Sequence, residues 1–458
     1  MKRSKTRLVF ISLLLWYTFF LCQKINLVTA DLGRHLINGR VFWQTGQIIR
    51  TNFYSYTNPD FLVINHHWGS GVIFALVEKF FGFSGLSVLF ILVSLISFAL
   101  IYYLAQQHAR PGWLLLTGLL LMPIIAERVE IRPEVFSYLF TGIFLLILNK
   151  KRGYWLLPIL EILWVNLHIY FFLGPLIILI YWLFERSRKL FFLTIFTGSA
   201  CLINPWGIQA ALMPLTIWQN FGYRLVENQT VWFLERLQVI NPNFLAFKLL
   251  LGLYLFSCLR FIWGADTVLA WLGIILAIMA LRNFTLFGLL LFGPLAAQLS
   301  LLLKNPNWLG SGLIAAIVFL SMNYGSRLGL LAQNFGLGLA VGVTRAGEWV
   351  KTHVSGPIFN NYDSGGYLIY NLFPHRIFVD NRPEAYPKAF FDKIYIPLQE
   401  NEAIWQAKLK EYGFQAIVFA YHDYTPWAQD FLQRRIVDPA WTIGYADQQV
   451  IVFVKKSL

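Results

Sequence analysis

Asp31 opens the segment Asp31-Leu-Gly-Arg-His35, which follows the first apolar run of the chain. If a helix begins here, the side chains of Asp31 and His35 lie four residues apart on one face. A carboxylate emerging from a membrane can take a proton from a hydroxyl as a general base, or it can hold a divalent cation. The alternative is that Asp31 caps the helix and His35 is a solvated neighbour. Ionisable groups at a membrane face tend to be functional, which favours chemistry at Asp31.

Histidines and arginines follow within the next hundred residues. The segment Asn65-His66-His67-Trp68 closes the same loop, and adjacent histidines on a helix point in different directions and suit one metal site poorly. We therefore expect one histidine near the carboxylate and assign it to His67. In the next polar loop, Arg128 and Arg132 could grip a phosphate, because guanidinium pairs with phosphate in a bidentate manner. The alternative is a salt-bridged loop that only solvates the helix ends.

Two further pairs of polar residues are candidates for binding. Asn166 and His168 end an apolar run, where they can bind a lipid headgroup or bond neighbouring helices. Asp380 and Arg382 follow a predicted strand, a common place for binding groups in α/β domains, although a turn with an internal ion pair explains them equally. The nearby Gly365-Gly366 permits a tight turn or a close backbone approach, but the GxGxxG spacing of a dinucleotide site is absent.

These candidates must be positioned by a chain of 458 residues that is 57% hydrophobic and 13% charged. Soluble domains carry about 25% charged residues, so a soluble protein of this size could not bury so much apolar surface. The composition also excludes a disordered chain, and only 3 cysteines, all within apolar runs, exclude a disulfide scaffold. We therefore expect a protein whose solvent is largely lipid.

The net charge of +14 is distributed unevenly. Residues 1–343 carry all of it, whereas residues 344–458 hold 12 basic and 12 acidic side chains. No basic domain is left that would bind nucleic acid. The excess basic residues lie mainly in short loops between apolar runs, which is the positive-inside pattern of a multispanning membrane protein.

The apolar runs predict a mainly α-helical, polytopic transmembrane bundle of about 11 spans. With a cytoplasmic N-terminus, the basic loops fall inside, with Arg260 and Lys304 among their residues, and most of the polar candidates fall outside. The runs lie near residues 8–23, 83–104, 111–126, 134–149, 154–168, 170–185, 190–204, 244–262, 266–281, 284–302 and 309–325.

From about Gly342 short β-type runs alternate with helical stretches, which predicts a small α/β domain on the outer side. The predicted strands are 357–359, 376–379, 415–419 and 449–454, and the predicted helices are 345–353, 403–412 and 427–435. The chain is therefore divided into a transmembrane bundle (1–325, with a first outer loop at 24–68), a linker (326–343) and a soluble extracytoplasmic domain (344–458).

The order of these segments resembles the multispanning glycosyltransferases of the C-type (GT-C) superfamily, especially a bacterial branch. The segments that carry the resemblance extend over nearly the whole chain: residues 31–39, 54–57, 67–68, 132–134, 166–168, 204–205, 365–368 and 379–382. The resemblance implies a sugar donor on a polyprenyl phosphate, an acceptor met at the outer face, and an acidic residue in the first outer loop, which maps onto Asp31. Many members carry an Asp-Glu or Asp-Asp pair there, whereas this chain has Asp31-Leu32.

The leading hypothesis is a membrane glycosyltransferase that moves a sugar from a polyprenyl-phosphate donor to an acceptor hydroxyl, with Asp31 as general base. The acceptor stays open among glycan, lipid and protein, and a divalent cation stays open as a cofactor. The resemblance favours a bacterial plasma membrane and a role in the cell envelope. The candidates for substrate binding are His35, His67, Arg128, Arg132, Asn166, His168, Asp380 and Arg382.

The alternative is a non-catalytic polytopic protein, either a transporter or flippase or a scaffold for envelope assembly. A transporter should depend on ionisable groups deep in the bundle, of which Glu161 is the example, rather than on loop residues. A transferase should depend on Asp31.

Overall fold

The computed structural model describes residues 2–217, 222–223, 225–258, 264–303 and 306–456. Arg260 and Lys304, two of the basic residues predicted to lie inside, are outside these ranges. Within them, the chain forms a mainly helical bundle followed by a small domain with one β-sheet.

The helices of the bundle follow the apolar runs of the sequence, and each of the predicted runs contains a helix. The helix α3 bends at Gly82, whose φ of 62° is not helical. Over the described ranges the helices are α1 (Lys2–Leu21), α2 (Leu32–Thr45), α3 (Trp68–Ala105), α4 (Pro111–Ile125), α5 (Glu134–Lys150), α6 (Leu156–Leu167), α7 (Leu173–Glu185), α8 (Arg188–Ala200), α9 (Ile208–Thr216), α10 (Val231–Arg236), α11 (Pro242–Ser257), α12 (Ala265–Met279), α13 (Phe284–Leu302) and α14 (Pro306–Gln333).

Four helices of the described ranges are long and apolar enough to cross a membrane. They are Ser4–Leu21, Trp68–Ala105, Leu281–Leu302 and Asn307–Gln333. Shorter apolar helices of 10–17 residues accompany them: Pro111–Ile125, Leu156–Leu167, Ile169–Glu185, Pro242–Ser257 and Ala265–Met279. These helices indicate an integral membrane protein, while the count of about 11 spans and the outer position of the domain stay predictions.

The helix that follows Asp31 is clamped between α3 and the C-terminal domain. Residues 32–39 of α2 are buried. A Cβ atom at Gly39 would lie 2.0 Å from the backbone oxygen of Gly71, and one at Gly33 would lie 2.4 Å from that of Gly366. Glycine is therefore required at both places, because any side chain would push α2 away from its two neighbours.

The C-terminal domain contains a four-stranded sheet in the order β1-β2-β4-β3. Strand β1 (Ile358–Asn360) is parallel to β2 (Ala416–Ala420), whereas β4 (Val450–Lys455) is antiparallel to both β2 and β3 (Trp441–Ala446). Around the sheet lie the helices α15 (Arg345–His353), α16 (Gly365–Leu372), α17 (Lys388–Phe390), α18 (Ile396–Glu400), α19 (Glu402–Tyr412) and α20 (Pro426–Val437).

The central strand β2 is buried on both faces. Ala416, Val418 and Ala420 pack into the large apolar core that also contains the helices of the bundle. Ile417 and Phe419 alternate with them and pack into a separate, mainly aromatic core. Because side chains alternate across a strand, one face of the sheet belongs to the core of the bundle and the other to that of the domain.

Several features of the C-terminal part differ from the sequence-based expectation. Residues 376–379 form no strand; Ile377 makes a single bridge to Ser55 of the first outer loop, and its burial explains the apolar run. The sequence does not predict β3, because most of its residues are at least partly exposed. The helix α16 begins at Gly365, whereas the glycine pair in the sequence permits a tight turn at this position. The helix α14 continues to Gln333, past residue 325, where the bundle was predicted to end.

Candidate active site

A cavity of about 390 Å³ lies where the bundle meets the C-terminal domain. Cavities of this size commonly hold small ligands. The polar lining residues, called the polar wall below, include Asp31, Arg34, His35, His66, His67, Arg132, Glu134, His168, Tyr170, Glu227, Asn228, Arg282, Asn283, Asn381 and Glu384. The apolar lining residues include Ile169, Phe172, Pro214, Ile217, Leu225, Leu276, Met279, Ala280 and Leu286. Such a lining offers contacts to both charged and apolar groups of a ligand.

Both oxygens of the Asp31 carboxylate have partners. Arg132 Nη1 lies 3.2 Å from Asp31 Oδ2, and the Asn381 side-chain amide donates a hydrogen bond to Asp31 Oδ1. The carboxylate makes no capping hydrogen bond to the first turn of α2, and 25% of the side chain is exposed. The carboxylate is therefore held at the polar wall of the cavity rather than used to cap the helix.

Glu227 forms ion pairs with three arginines, of which two line the cavity and one, Arg128, does not. Its carboxylate oxygens lie 2.8 Å from Arg128 Nη2, 3.3 Å from Arg132 Nη1 and 3.9 Å from Arg282 Nη1. Glu134 lies 3.0 Å from Arg282 Nη2 and 3.9 Å from Arg128 Nε. Burial alone would raise the pKa of Glu227, but the arginine charges outweigh burial and hold that pKa below its usual range.

We expect Glu227→Gln to lower the free energy of unfolding by about 3 kcal/mol, because removing one member of a buried charge network leaves the others uncompensated. The three arginines would then repel one another around a neutral amide. The measurement is reversible unfolding of the purified protein in mixed detergent micelles, followed by tryptophan fluorescence.

Glu235→Gln is the matched control for this substitution. Glu235 pairs with Lys248 at 2.6 Å, but both side chains are more than one third exposed, so its loss should change stability by about 0.5 kcal/mol or less. An equal effect of the two substitutions would contradict a structural role for Glu227.

Arg34 is a cation of the cavity wall without a carboxylate partner. In the described part of the chain it makes neither a hydrogen bond nor an ion pair, although the residue is only 6% exposed. Burial raises the pKa of Glu384, and the charge of Arg34 partly offsets that rise. A buried guanidinium without a partner is costly, so Arg34 marks the place where the cavity would accept an anion.

Four histidines line the cavity: His35, His67 and His168, which the sequence analysis names as candidates, and His66, which it does not. The ring centroids of His66 and His67 are 3.8 Å apart, and that of His67 lies 5.4 Å from His35 and 5.1 Å from His168. Burial lowers the pKa of His66 to about 3, and those of His35 and His67 also fall well below their usual value. These three rings are therefore neutral at physiological pH and can hydrogen-bond a ligand without adding charge.

Four of the predicted positions lie away from the cavity wall. Arg128 is engaged by carboxylates, as described above. Asn166 accepts a hydrogen bond of 2.9 Å from Trp68 Nε1 and so joins α6 to the start of α3. Asp380 and Arg382 form a buried ion pair with a closest distance of 2.7 Å. These contacts are structural, and direct substrate binding by these four residues stays a prediction.

The residues around Asp31 do not form a site for a divalent cation. No group of three or more histidine, cysteine or carboxylate side chains within the described ranges is placed to hold a metal ion. The oxygens of Asp31 are already occupied by the Arg132 guanidinium and the Asn381 amide. No step of the chemistry below is therefore assigned to a metal.

Several cavity residues escaped the sequence analysis. Arg34 and Asn381 lie inside the segments 31–35 and 380–382, next to residues that the sequence analysis proposes for the site. Glu384 follows Arg382 by two positions, and no local pattern shows that it lines a cavity shared with the bundle. Arg282 lies next to an apolar run, and only the fold shows that it meets Glu134, 148 residues away.

The helical bundle with its small C-terminal α/β domain has the same fold as two solved glycosyltransferases. The archaeal oligosaccharyltransferase AglB from Archaeoglobus fulgidus, solved with an inhibitory peptide and a dolichol-phosphate, superposes with a TM-score of 0.61 at 11% identity. The match covers 92% of this chain and 70% of that chain.

A variant of the arabinofuranosyltransferase AftD from Mycobacteria has the same fold, with a TM-score of 0.52 at 14% identity. The match covers 99% of this chain but 42% of that chain, so the protein spans less than half the length of the mycobacterial enzyme. No protein-family model and no curated protein matches the sequence. At these identities the likeness shows the fold, and the activity is treated below.

Proposed function

We propose that the protein transfers a sugar from a polyprenyl-phosphate donor to an acceptor hydroxyl at the outer face of a bacterial plasma membrane. The observation that carries this proposal is the cavity between the bundle and the C-terminal domain, which is lined by arginines, by apolar side chains and by the carboxylate of Asp31. The fold shared with lipid-dependent glycosyltransferases supports it. The dolichol-phosphate in the archaeal structure is a ligand of the same chemical class.

The donor would lie in the cavity with its phosphate at the charged side chains and its lipid at the apolar ones. The first isoprene units would contact lining residues such as Phe172 and Leu286, which belong to the apolar helices Ile169–Glu185 and Leu281–Leu302. The phosphate would bind Arg34, with further hydrogen bonds from Arg282, whose Nε is buried and has no hydrogen-bond partner among the described residues. Arg132 would contribute positive charge without direct contact, since its ion pairs with Asp31 and Glu130 hold it.

Asp31 would take the proton of the acceptor hydroxyl as that oxygen attacks the anomeric carbon. The bond between the anomeric carbon and the phosphate oxygen breaks, and the phosphate leaves with the electron pair. The arginine charges stabilise this departing phosphate. Neutral His35 and His168 would hydrogen-bond the sugar from the cavity wall.

The acceptor would enter from the side of the C-terminal domain. Asn381, Pro383 and Glu384 of that domain form part of the cavity wall, so the domain borders the reaction centre. Burial and the nearby carboxylates of Asp423 and Asp31 raise the pKa of Asp363 on the same side. This acidic surrounding suits a neutral hydroxyl-bearing acceptor better than an anionic one.

The test is sugar transfer by the purified protein in lipid nanodiscs, with a series of defined polyprenyl-phosphate sugars and a mixed panel of glycan, lipid and peptide acceptors. We expect release of polyprenyl phosphate together with labelling of one acceptor class. Donor binding is measured by displacement of a fluorescent polyprenyl phosphate from the protein. If none of the donors displaces it, the proposal is contradicted.

The alternative function, transport, predicts a different dependence, and Glu161 separates the two. Glu161 is fully buried, accepts a hydrogen bond of 3.2 Å from the Cys201 thiol, and does not line the cavity. We expect Glu161→Gln to keep sugar transfer within about twofold, because the amide oxygen can still accept that hydrogen bond. The transfer assay measures this directly, and a loss comparable with that of Asp31→Asn would contradict the assignment of the chemistry to the cavity and would not separate the two functions.

A further inference from the structure

A loop of the C-terminal domain reaches the carboxylate at the start of α2. The side-chain amide of Asn381 donates a hydrogen bond to Asp31 Oδ1, while Arg132 of the bundle approaches the other oxygen at 3.2 Å. Asp31 is therefore held from two sides by two residues, Arg132 and Asn381, that are 249 positions apart in sequence. This arrangement raises the question of what holds Asn381 itself.

The residues on either side of Asn381 lock its backbone into a turn. Asp380 Oδ1 accepts hydrogen bonds from the backbone N–H of Arg382 at 3.1 Å and from its Nε at 2.8 Å. Asp380 Oδ2 accepts a third from Arg382 Nη2 at 2.7 Å, and the backbone N–H of Asp380 donates to the Tyr386 hydroxyl at 2.8 Å. The pair is buried, and its hydrogen bonds hold the backbone on both sides of Asn381.

The same turn is bound to the first outer loop. Arg382 Nη2 donates to Asn52 Oδ1 at 3.0 Å, and the Ser55 hydroxyl donates to the backbone oxygen of Phe378 at 2.9 Å. Backbone hydrogen bonds join Ile377 to Tyr54 at 2.9 Å and Tyr56 to Ile377 at 3.1 Å.

Tyr54 connects this pairing back to α2. Its hydroxyl donates to Asn38 Oδ1 at 2.6 Å, and the Arg382 guanidinium lies over its ring at 5.3 Å from the centroid. Both ends of the buried half of α2 are therefore attached to one turn of the C-terminal domain: Asp31 through Asn381, and Asn38 through Tyr54.

We propose that Asn381 is a positioning residue, which fixes the Asp31 carboxylate for proton transfer, and that the Asp380–Arg382 pair serves to present Asn381 rather than to bind substrate. The proposal rests on the proposed function, in which Asp31 is the base. A base whose carboxylate rotates freely spends little time aligned with the attacking hydroxyl, and an alignment error near 1 Å is costly. One amide from the C-terminal domain would remove that freedom.

The kinetic test compares Asn381→Ala and Asn381→Asp with the parent protein. We expect Asn381→Ala to lower kcat about tenfold or more and to leave the KM for the donor unchanged, because the donor binds the bundle side. Asn381→Asp is nearly the same size but donates no hydrogen bond and places a second negative charge beside Asp31, so it should lower kcat at least as much. If Asn381 only fills space, the order is reversed and Asn381→Asp retains more activity than Asn381→Ala.

A double substitution shows whether Asn381 acts through Asp31. In an Asp31→Asn background, Asn381→Ala should cause no further loss of transfer, because the carboxylate it positions is already absent. A loss that multiplies with that of Asp31→Asn would overturn the proposal. Asn323→Ala is the matched control, since the one hydrogen bond of the Asn323 side chain among the described residues is to the backbone oxygen of Phe319 in its own helix.

A second readout does not depend on transfer. The rate at which carbodiimide and an amine label the Asp31 carboxyl, measured by mass spectrometry, should rise severalfold in Asn381→Ala and stay unchanged in Asn323→Ala. An unchanged rate in Asn381→Ala would overturn the role of Asn381 whether or not sugar is transferred. If the labelling rate rises but the protein transfers sugar from no donor, the contact between Asn381 and Asp31 is confirmed and the proposed function is overturned instead.

Discussion

Asp31→Asn should lower kcat for sugar transfer about 100-fold or more, the usual contribution of a positioned general base. Asparagine has nearly the same shape, but it cannot take the proton of the attacking hydroxyl. The amide also loses the charge that pairs with Arg132 at 3.2 Å. The measurement is initial transfer rate at saturating donor, beside donor affinity, which should change little because the donor phosphate contacts other residues.

The control for this substitution lies in the same outer loop. Asp60 is exposed and makes no ion pair in the described part of the chain, so Asp60→Asn should transfer sugar at the parent rate. Unfolding curves should be recorded for both variants, because Asp31 also contributes to the packing of α2. Full transfer by a folded Asp31→Asn protein would remove Asp31 from the chemistry while leaving the glycosyltransferase in place.

Arg34→Gln should raise the KM for the donor at least about tenfold, with a smaller effect on kcat. A hydrogen bond to a charged group contributes about 1.5–3 kcal/mol, which corresponds to roughly one to two orders of magnitude in affinity. Arg34 is the expected main contact because it forms no ion pair or hydrogen bond within the described residues. Arg34→Lys keeps the charge but loses the planar guanidinium, so its KM for the donor should lie between those of the parent and of Arg34→Gln.

Arg40 provides the comparison on the same helix. Its guanidinium pairs with Glu78 at 2.7 Å and does not line the cavity. Arg40→Gln should therefore keep the parent KM for the donor, although it removes the same charge from α2. Equal donor affinity in Arg34→Gln and the parent would mean that the phosphate lies elsewhere.

The sequence predicts the helical part of this fold well, because apolar runs longer than a helical turn leave few alternatives in lipid. The sequence also predicts that Asp31, His35 and His168 belong to the site, because their residue types and their positions near the ends of apolar runs indicate function. The eleven runs and the three helices predicted in the C-terminal domain all contain helices in the structure.

The remaining part of the site depends on contacts that no local pattern encodes. Arg34 looks like any basic residue of a loop until the fold shows it buried without a partner. Arg128 looks like a phosphate ligand until Glu227, from a distant loop, occupies it at 2.8 Å. Asp380 and Arg382 carried a binding signal in the sequence, whereas their geometry is that of an internal pair.

The hydrogen bonds between residues 51–57 and 377–382 also define what can be exchanged between related proteins. A chimaera that replaces the C-terminal domain alone would separate Arg382 from Asn52 and Ile377 from Tyr54, and would leave the glycine contact of α2 without its partner. The smallest transplantable module is therefore discontinuous in sequence: it contains the domain together with the first outer loop. To change the acceptor choice in this fold, the C-terminal domain and the first outer loop should be exchanged together.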